Sequence, residues 1–445
     1  MKKLLSLLPL LFLFAACRFY EEPENNVSPP DNFNFSEIFE AFWRGMDRNY
    51  MYWSEEPSPH WGPVLDSLDS DMRNYILKYP ESFWDIIYDY YKPQFDELGV
   101  FSVSATGDQS PDFVAAAIKA YEYFAGMTLG LRDGHFNIEF NSDLRFYMPG
   151  IVPGENYLSL PQIFPHMARL NPDDFVFQDY IPADSFFGPE RKVYNQYGMI
   201  FVSGRMPFPG GGDILYLSFN TCSLYNFMSG NLPPVMEELM TPAEIAGIQA
   251  VIQSFFDDLK DTSLDTRGVI IDIRGNIGGD PRDVGYLMGR MIEESVTLSY
   301  SRTKTGEGRL DYGPWTPVLI VPAPKAERLV DTNIPVVVLV SSVTNSAAEF
   351  ITRAAKNMPK GFVLGTTTGG ASTITSDRFG YNRSLFFGGP FWTQVSGATA
   401  QYRETDGNIY EGFGIPPDFD IPMSSAGKRD PQLDAAINLI VTGRP

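Results

Sequence analysis

Ser346 lies in the run Thr344-Asn345-Ser346-Ala347-Ala348-Glu349, shortly after a continuous apolar segment, Val336 to Val340. That order predicts a strand, a short polar turn and a helix starting near Ser346. A serine at such a junction holds its hydroxyl at a helix N-terminus, where free N–H groups and the dipole favour negative charge. The same N–H groups can stabilise an oxyanion during acyl transfer. The arrangement is that of a nucleophile elbow without the Gly-x-Ser-x-Gly pattern. It is equally a plain helix cap, so the motif alone leaves both readings open. A second feature is Gly275-Asn276-Ile277-Gly278-Gly279, which follows the apolar segment ending Asp272-Ile273-Arg274. Glycines let backbone approach a ligand and present N–H donors. The loop lacks the Lys-Ser/Thr of a phosphate cradle, and it fits better as an oxyanion donor beside Ser346. The third feature is Asp133-Gly134-His135. A serine nucleophile needs a base, and the chain holds three histidines. His60 lies beside Pro59 and Trp61 and reads as structural, and His166 lies in an uninformative run, which leaves His135. A lone histidine is as readily a core or surface residue.

The elements that must carry these residues form an α/β pattern. From Phe33 to about Met127 the chain reads as helical: Ile38, Phe39, Phe42, Trp43 and Met46 make one apolar face, with Ser36 as N-cap. Trp84 to Tyr91 and Phe113 to Met127 repeat that character. Residues 33–140 are therefore expected to form a small helical domain ending in Asp-Gly-His. Residues 141–205 show no clear period and are taken as an irregular segment. From residue 206 onward, apolar runs at Ile214–Phe219, Gly268–Ile273, Pro335–Val340 and Phe362–Leu364 alternate with helical patterns. Thr241-Pro242-Ala243-Glu244 has the form of a capping box with Pro at the first helical position. Leu433 to Val441 closes the chain with an amphipathic helix. Strands that are apolar throughout, alternating with helices, imply a sheet covered on both faces.

Taken in order, Asp272-Ile273-Arg274-Gly275-Asn276-Ile277-Gly278-Gly279, Asn345-Ser346-Ala347-Ala348-Glu349, Leu364-Gly365-Thr366-Thr367-Thr368-Gly369-Gly370 and Glu411-Gly412-Phe413-Gly414-Ile415-Pro416-Pro417-Asp418 resemble the S41 peptidases. That family includes C-terminal processing proteases, the tricorn core and a retinoid-binding protein. The resemblance runs from about Asp213 to the C-terminus, with Asp-Gly-His upstream. It implies an α/β, ClpP/crotonase-like core over 206–445, with the small N-terminal helical domain ahead of it. It also implies Ser346 as nucleophile and an oxyanion hole made by the N–H groups of Ala347 and of Gly279 or Gly278. The Ser-Lys branch carries a lysine 25 residues after the nucleophile, where this chain has Ala371. The chain therefore looks like the tricorn-like branch, with His135 as base and Glu411 in support and no metal or other cofactor. That branch places a serine directly before its histidine; here the residue is Gly134. The region 141–205 is too short and irregular for a PDZ domain. An alternative that the same fold permits is a catalytically impaired protein that binds peptides or hydrophobic ligands.

Lys2 and Lys3 precede an apolar run, Leu4 to Ala16, that ends in Ala15-Ala16-Cys17. The run is too short for a spanning helix and reads as a signal peptide over 1–16. The cysteine resembles a lipobox, so cleavage would leave Cys17 lipidated at the head of an acidic tether, 17–32. An exported protein follows, attached to the cell envelope (outer membrane, periplasmic or surface side) through that lipid alone. The only other cysteine, Cys222, leaves no disulfide framework and reads as a packed thiol. A formal charge of −21 with no basic stripe excludes nucleic acid as partner; a polypeptide substrate is the expected one.

Overall fold

The computed structural model describes residues 32–57, 66–102, 110–140, 145–147, 157–159, 172–306, 308–373, 384–388, 391–423 and 430–445. The expected signal peptide (1–16), Cys17 and the expected tether up to residue 31 lie outside these, as do His60 and His166.

The N-terminal region is helical, as its apolar spacing requires. Strand β1 (Asn32–Asn34) leads into α1 (Phe35–Asn49), followed by α2 (Ser70–Lys78), α3 (Phe83–Glu97), β2 (Val100–Ser102) and α4 (Pro111–Thr128). The cap of α1 is Asn34, whose side chain accepts from Ser36 N–H, two residues earlier than the expected cap. Ser36 lies inside the helix and donates to Asp96. Phe39, Phe42, Trp84, Phe95 and Phe124 fill the centre of this domain, with the Trp43 and Trp84 rings stacked at 4.4 Å. After α4 the chain makes the Asp133-Gly134-His135 turn and enters β3 (Asn137–Phe140); a separate pair, β4 (Arg145–Tyr147) and β5 (Tyr157–Ser159), follows.

The core is a seven-stranded sheet. In chain order it uses β6 (Lys192–Gln196), β7 (Met199–Pro207), β8 (Asp213–Phe219) and β9 (Thr266–Asp272). A hairpin, β10 (Val296–Arg302) and β11 (Thr316–Ile320), intervenes before β12 (Val336–Val340) and β13 (Gly361–Gly365). Then come β14 (Ser384–Gly388), β15 (Phe391–Ser396), β16 (Gln401–Arg403) and β17 (Phe419–Asp420). The large sheet runs β17-β13-β12-β9-β8-β7-β6, parallel from β17 to β8 and antiparallel at β7 and β6. The sheet therefore begins at residue 192, not 206. Strands β6 and β7 occupy the end of the segment that its sequence marks as irregular. Their signal is the apolar run Ile200-Phe201-Val202 beside the turn Tyr197-Gly198, where both residues have left-handed φ.

Side chains alternate across the parallel strands. Leu215, Leu217, Val269, Ile271, Val338 and Val340 face one layer of helices, whereas Ile214, Tyr216, Ile270, Val337 and Leu339 face the other. The first layer comprises α5 (Leu224–Ser229), α6 (Pro234–Leu239), α7 (Pro242–Lys260), α8 (Arg282–Met288) and α9 (Ala347–Asn357). On the second face lies α10 (Pro431–Thr442), through Leu433, Ala436, Leu439 and Ile440. The capping box on α7 is present: Thr241 Oγ1 accepts from Glu244 N–H, and Glu244 accepts from Thr241 N–H at 2.7 Å. Burial of each Leu or Ile on these faces contributes roughly 1.5–3 kcal/mol, which holds three neighbouring parallel strands in register. Their carboxyl ends then deliver three loops to one edge of the sheet, where open α/β sheets place ligands.

Candidate active site

The loops after β9 and β12 are stitched together before any functional group is considered. Ser341 Oγ donates to Arg274 O at 2.6 Å, Thr344 Oγ1 to Ile273 O at 2.8 Å, and Asn345 N–H to Asn276 O at 3.0 Å. Arg274, fully buried, pairs with Asp272 and Asp430, so the Asp-Ile-Arg segment serves as a structural anchor for this edge. Ser346 then enters α9 with φ 55° and ψ −125°, a left-handed φ that a non-glycine residue adopts only under constraint. Its N–H donates to Ala371 O at 2.8 Å, which fixes the constraint from the third loop, the one after β13. Ser346 remains half-buried and its hydroxyl reachable.

Facing that hydroxyl is His135. Its Nε2 lies 3.0 Å from Ser346 Oγ, although the two residues are 211 positions apart. The turn that carries it is an Asx type: Asp133 Oδ1 accepts from His135 N–H at 2.8 Å, and Oδ2 accepts from Ala398 N–H at 2.6 Å. Burial pushes the His135 pKa down to about 4, so the imidazole is neutral at physiological pH. The other ring nitrogen, Nδ1, stands 3.2 Å from Thr373 Oγ1, a contact absent from the expected site. In sequence, Thr373 is one of several small polar residues in a glycine-rich run, and nothing local marks it.

Both glycines of the loop after β9 have left-handed φ, 105° for Gly278 and 136° for Gly279, but they do different things. A Cβ on Gly278 would sit 2.5 Å from Ser346 Cβ, so glycine is needed there for contact with the serine. Its N–H is spent on Asn276 Oδ1 at 2.8 Å, which removes Gly278 from the expected oxyanion donors. The N–H groups of Gly279 and Ala347 have no partner among the described residues. Asn276 shapes this loop: its Nδ2 donates to Phe219 O at 3.0 Å, and its Oδ1 also takes the buried Cys222 thiol at 3.5 Å. Cys222 is 2% exposed and burial raises its pKa, consistent with a packed thiol and not a nucleophile.

Glu411 is buried and acts on the backbone. Oε1 accepts from Gly134 N–H at 2.6 Å, while Oε2 accepts from Ser372 N–H at 2.7 Å and Ser372 Oγ at 3.0 Å. Burial, with the nearby charges of Asp133 and Glu349, pushes its pKa up to about 8 against those donors. Arg353 secures the same loop, donating to Ser372 O at 2.7 Å and to Glu404 at 2.6 Å. Arg132 joins the helical domain to this edge: its N–H donates to Tyr50 Oη at 2.6 Å and its Nε to Glu411 O at 2.8 Å. Asp133, His135 and Glu411 could each offer one ligand atom within 4.8 Å of the others. The carboxylate oxygens are, however, already aimed at N–H donors, so the cluster is built as a hydrogen-bonded bracket.

A serine hydroxyl thus faces a histidine nitrogen at the carboxyl edge of this sheet. Residues 238–421, from the end of α6 to just beyond β17, match the model of peptidase family S41. This part of the chain is similar to that family of peptidases. Two solved structures share the fold of nearly the whole chain. A crystal structure of a candidate peptidase from Parabacteroides merdae ATCC 43184 is 20% identical, covers 92% of this chain and 97% of its own, and has a TM-score of 0.55. Mature CPAF is 13% identical, covers 92% of this chain and 98% of its own, and has a TM-score of 0.52. The α/β core preceded by helices, expected from the order of motifs, is the observed fold class. Among the described residues no helix is long and apolar enough to cross a membrane.

Proposed function

We propose that the protein is a serine peptidase that cleaves exported polypeptides, as an endopeptidase or carboxyl-end processing peptidase, through an acyl-enzyme on Ser346. The observation that carries this reading is the 3.0 Å approach of His135 Nε2 to Ser346 Oγ, beside the N–H groups of Ala347 and Gly279, which have no partner among the described residues. Ser346 Oγ attacks the scissile carbonyl carbon as its proton passes to His135 Nε2. The carbonyl electron pair moves onto oxygen, and the N–H groups of Gly279 and Ala347 hold that oxyanion. Collapse breaks the C–N bond, the leaving amine takes the proton from His135, and an ester on Ser346 remains. Water then gives a proton to His135 and attacks the ester; the second collapse returns the proton to Ser346 and frees the carboxyl product. Glu411 supports the pair through Gly134 and Ser372.

The test is labelling of the purified chain with a fluorophosphonate. Covalent labelling that disappears in Ser346→Ala supports the reading; a wild-type chain that binds peptide but takes no label overturns it and leaves a binding protein on this fold. We further propose that the chain is exported and lipid-anchored through Cys17, on the strength of the basic, apolar and small-residue order of its first 17 residues. Metabolic labelling with a radioactive fatty acid that persists in Cys17→Ala would refute that.

A further inference from the structure

An imidazole accepts the serine proton at Nε2 only if its own proton sits on Nδ1, and Nδ1–H then needs an acceptor. The two nearby carboxylates are engaged with backbone donors. Asp133 directs Oδ1 and Oδ2 at the N–H groups of His135 and Ala398, and Glu411 directs its pair at Gly134 and Ser372. The group that meets Nδ1 is the Thr373 hydroxyl, at 3.2 Å and fully buried. We propose that Thr373 is the positioning residue of this site: its Oγ1 accepts Nδ1–H and so holds His135 in the tautomer whose Nε2 faces Ser346. The inference rests on the reading of Ser346 and His135 as the reactive pair.

Packing explains why the hydroxyl comes from this loop. A Cβ at position 134 would lie 2.4 Å from Ala371 Cα, 2.5 Å from Gly370 O and 2.6 Å from Ala371 Cβ. The residue before the histidine therefore has no room for a side chain. Because it has none, the segment 370–373 lies directly against the turn. Glu411 brackets the two backbones from both sides, at Gly134 and at Ser372, one residue from Thr373. The Arg353 contact to Ser372 O closes the same segment from below. Position 373 thus follows directly on a backbone position held by Glu411 and Arg353, which delivers its hydroxyl to Nδ1. A neutral acceptor places no full counter-charge against the ring, which agrees with the low pKa that burial gives His135.

The experiment uses the full chain with 15N-labelled histidine, and two readouts. The first is the His135 tautomer at pH 7, read by two-bond 1H–15N correlation in the Ser346→Ala background, with His135→Gln to assign the signal among three histidines. The second is the fluorophosphonate labelling rate in the Ser346 background. The expected result is an Nδ1–H tautomer that becomes Nε2–H in Thr373→Val, a labelling rate lowered about 100-fold in that variant, and recovery to within a few-fold in Thr373→Ser. If Thr373→Val lowers the melting temperature markedly, Thr373→Ala replaces it with the same expectations. An Nδ1–H tautomer that survives loss of the hydroxyl overturns the inference, as does labelling at the wild-type rate. If no chain labels, wild type included, while the tautomer still switches with Thr373, the positioning role stands and the peptidase reading falls.

Discussion

Gly134→Ala isolates the fit on which the site depends. Gly134 does not have a left-handed φ, so alanine adds a methyl group without backbone strain. That methyl carbon would sit 2.4 Å from Ala371 Cα, where ordinary contact begins at 3.4 Å, so the two segments must part by about 1 Å. Two of its three nearest atoms are backbone, so no rotamer change relieves the clash. Parting the segments stretches the Glu411 bracket, now 2.6 Å to Gly134 and 2.7 Å to Ser372. Overpacking of this kind costs about 1–3 kcal/mol, and each weakened buried hydrogen bond about 1 kcal/mol more. A displacement near 1 Å between base and nucleophile lowers a rate by about 100-fold. The assay is the rate constant for fluorophosphonate labelling beside the urea midpoint of unfolding. Both are expected to fall, and adding Ala371→Gly is expected to rescue neither, because Ala371 Cα and Gly370 O remain. A Gly134→Ala chain that labels within twofold of wild type with an unchanged midpoint would refute the reasoning.

Two further outcomes follow from the same geometry. Protonated His135 cannot accept the Ser346 proton, so the labelling rate should rise with pH through a midpoint near 4 and be flat by pH 6.5; a midpoint at 6.5 or above would contradict the buried ring. The linked effect on stability has the same sign, since the unfolded chain binds more protons between pH 4 and 6.5 and the folded state gains as pH rises through that window. Ser346→Gly and Ser346→Ala both remove the hydroxyl, but only glycine relieves φ 55°, so the glycine variant should be more stable by about 1 kcal/mol in urea unfolding. Equal midpoints would show that the backbone there carries no strain.

The parallel strands were legible because burial on both faces leaves no polar position. Val336 to Val340 has none, and its register against β9 and β13 follows. Strand β6 was not, because it is an edge strand whose only buried residue is Tyr194, so no apolar run betrays it. Ser346, His135 and Glu411 could be found as residue types in ordered motifs. Which of two adjacent glycines has its N–H taken up by the loop could not, since that depends on the choice Asn276 makes among N–H groups. Thr373 was invisible for a similar reason: its partner is 238 residues away, and only the missing side chain at Gly134 brings the two together.

Arg274 carries a consequence for the order of assembly. Its guanidinium is buried between Asp272, two residues away, and Asp430, 156 residues downstream at the head of α10. Until that last helix docks, a buried positive charge lacks half its compensation, and breaking such a pair costs about 3–5 kcal/mol. The carbonyl of the same arginine anchors the turn before Ser346 through Ser341. A chain still emerging or cut short ahead of Asp430 therefore lacks the contact that holds Ser346 and the loop after β9 in register. The contact between Ser346 and His135 is thus completed only once the last helix has docked.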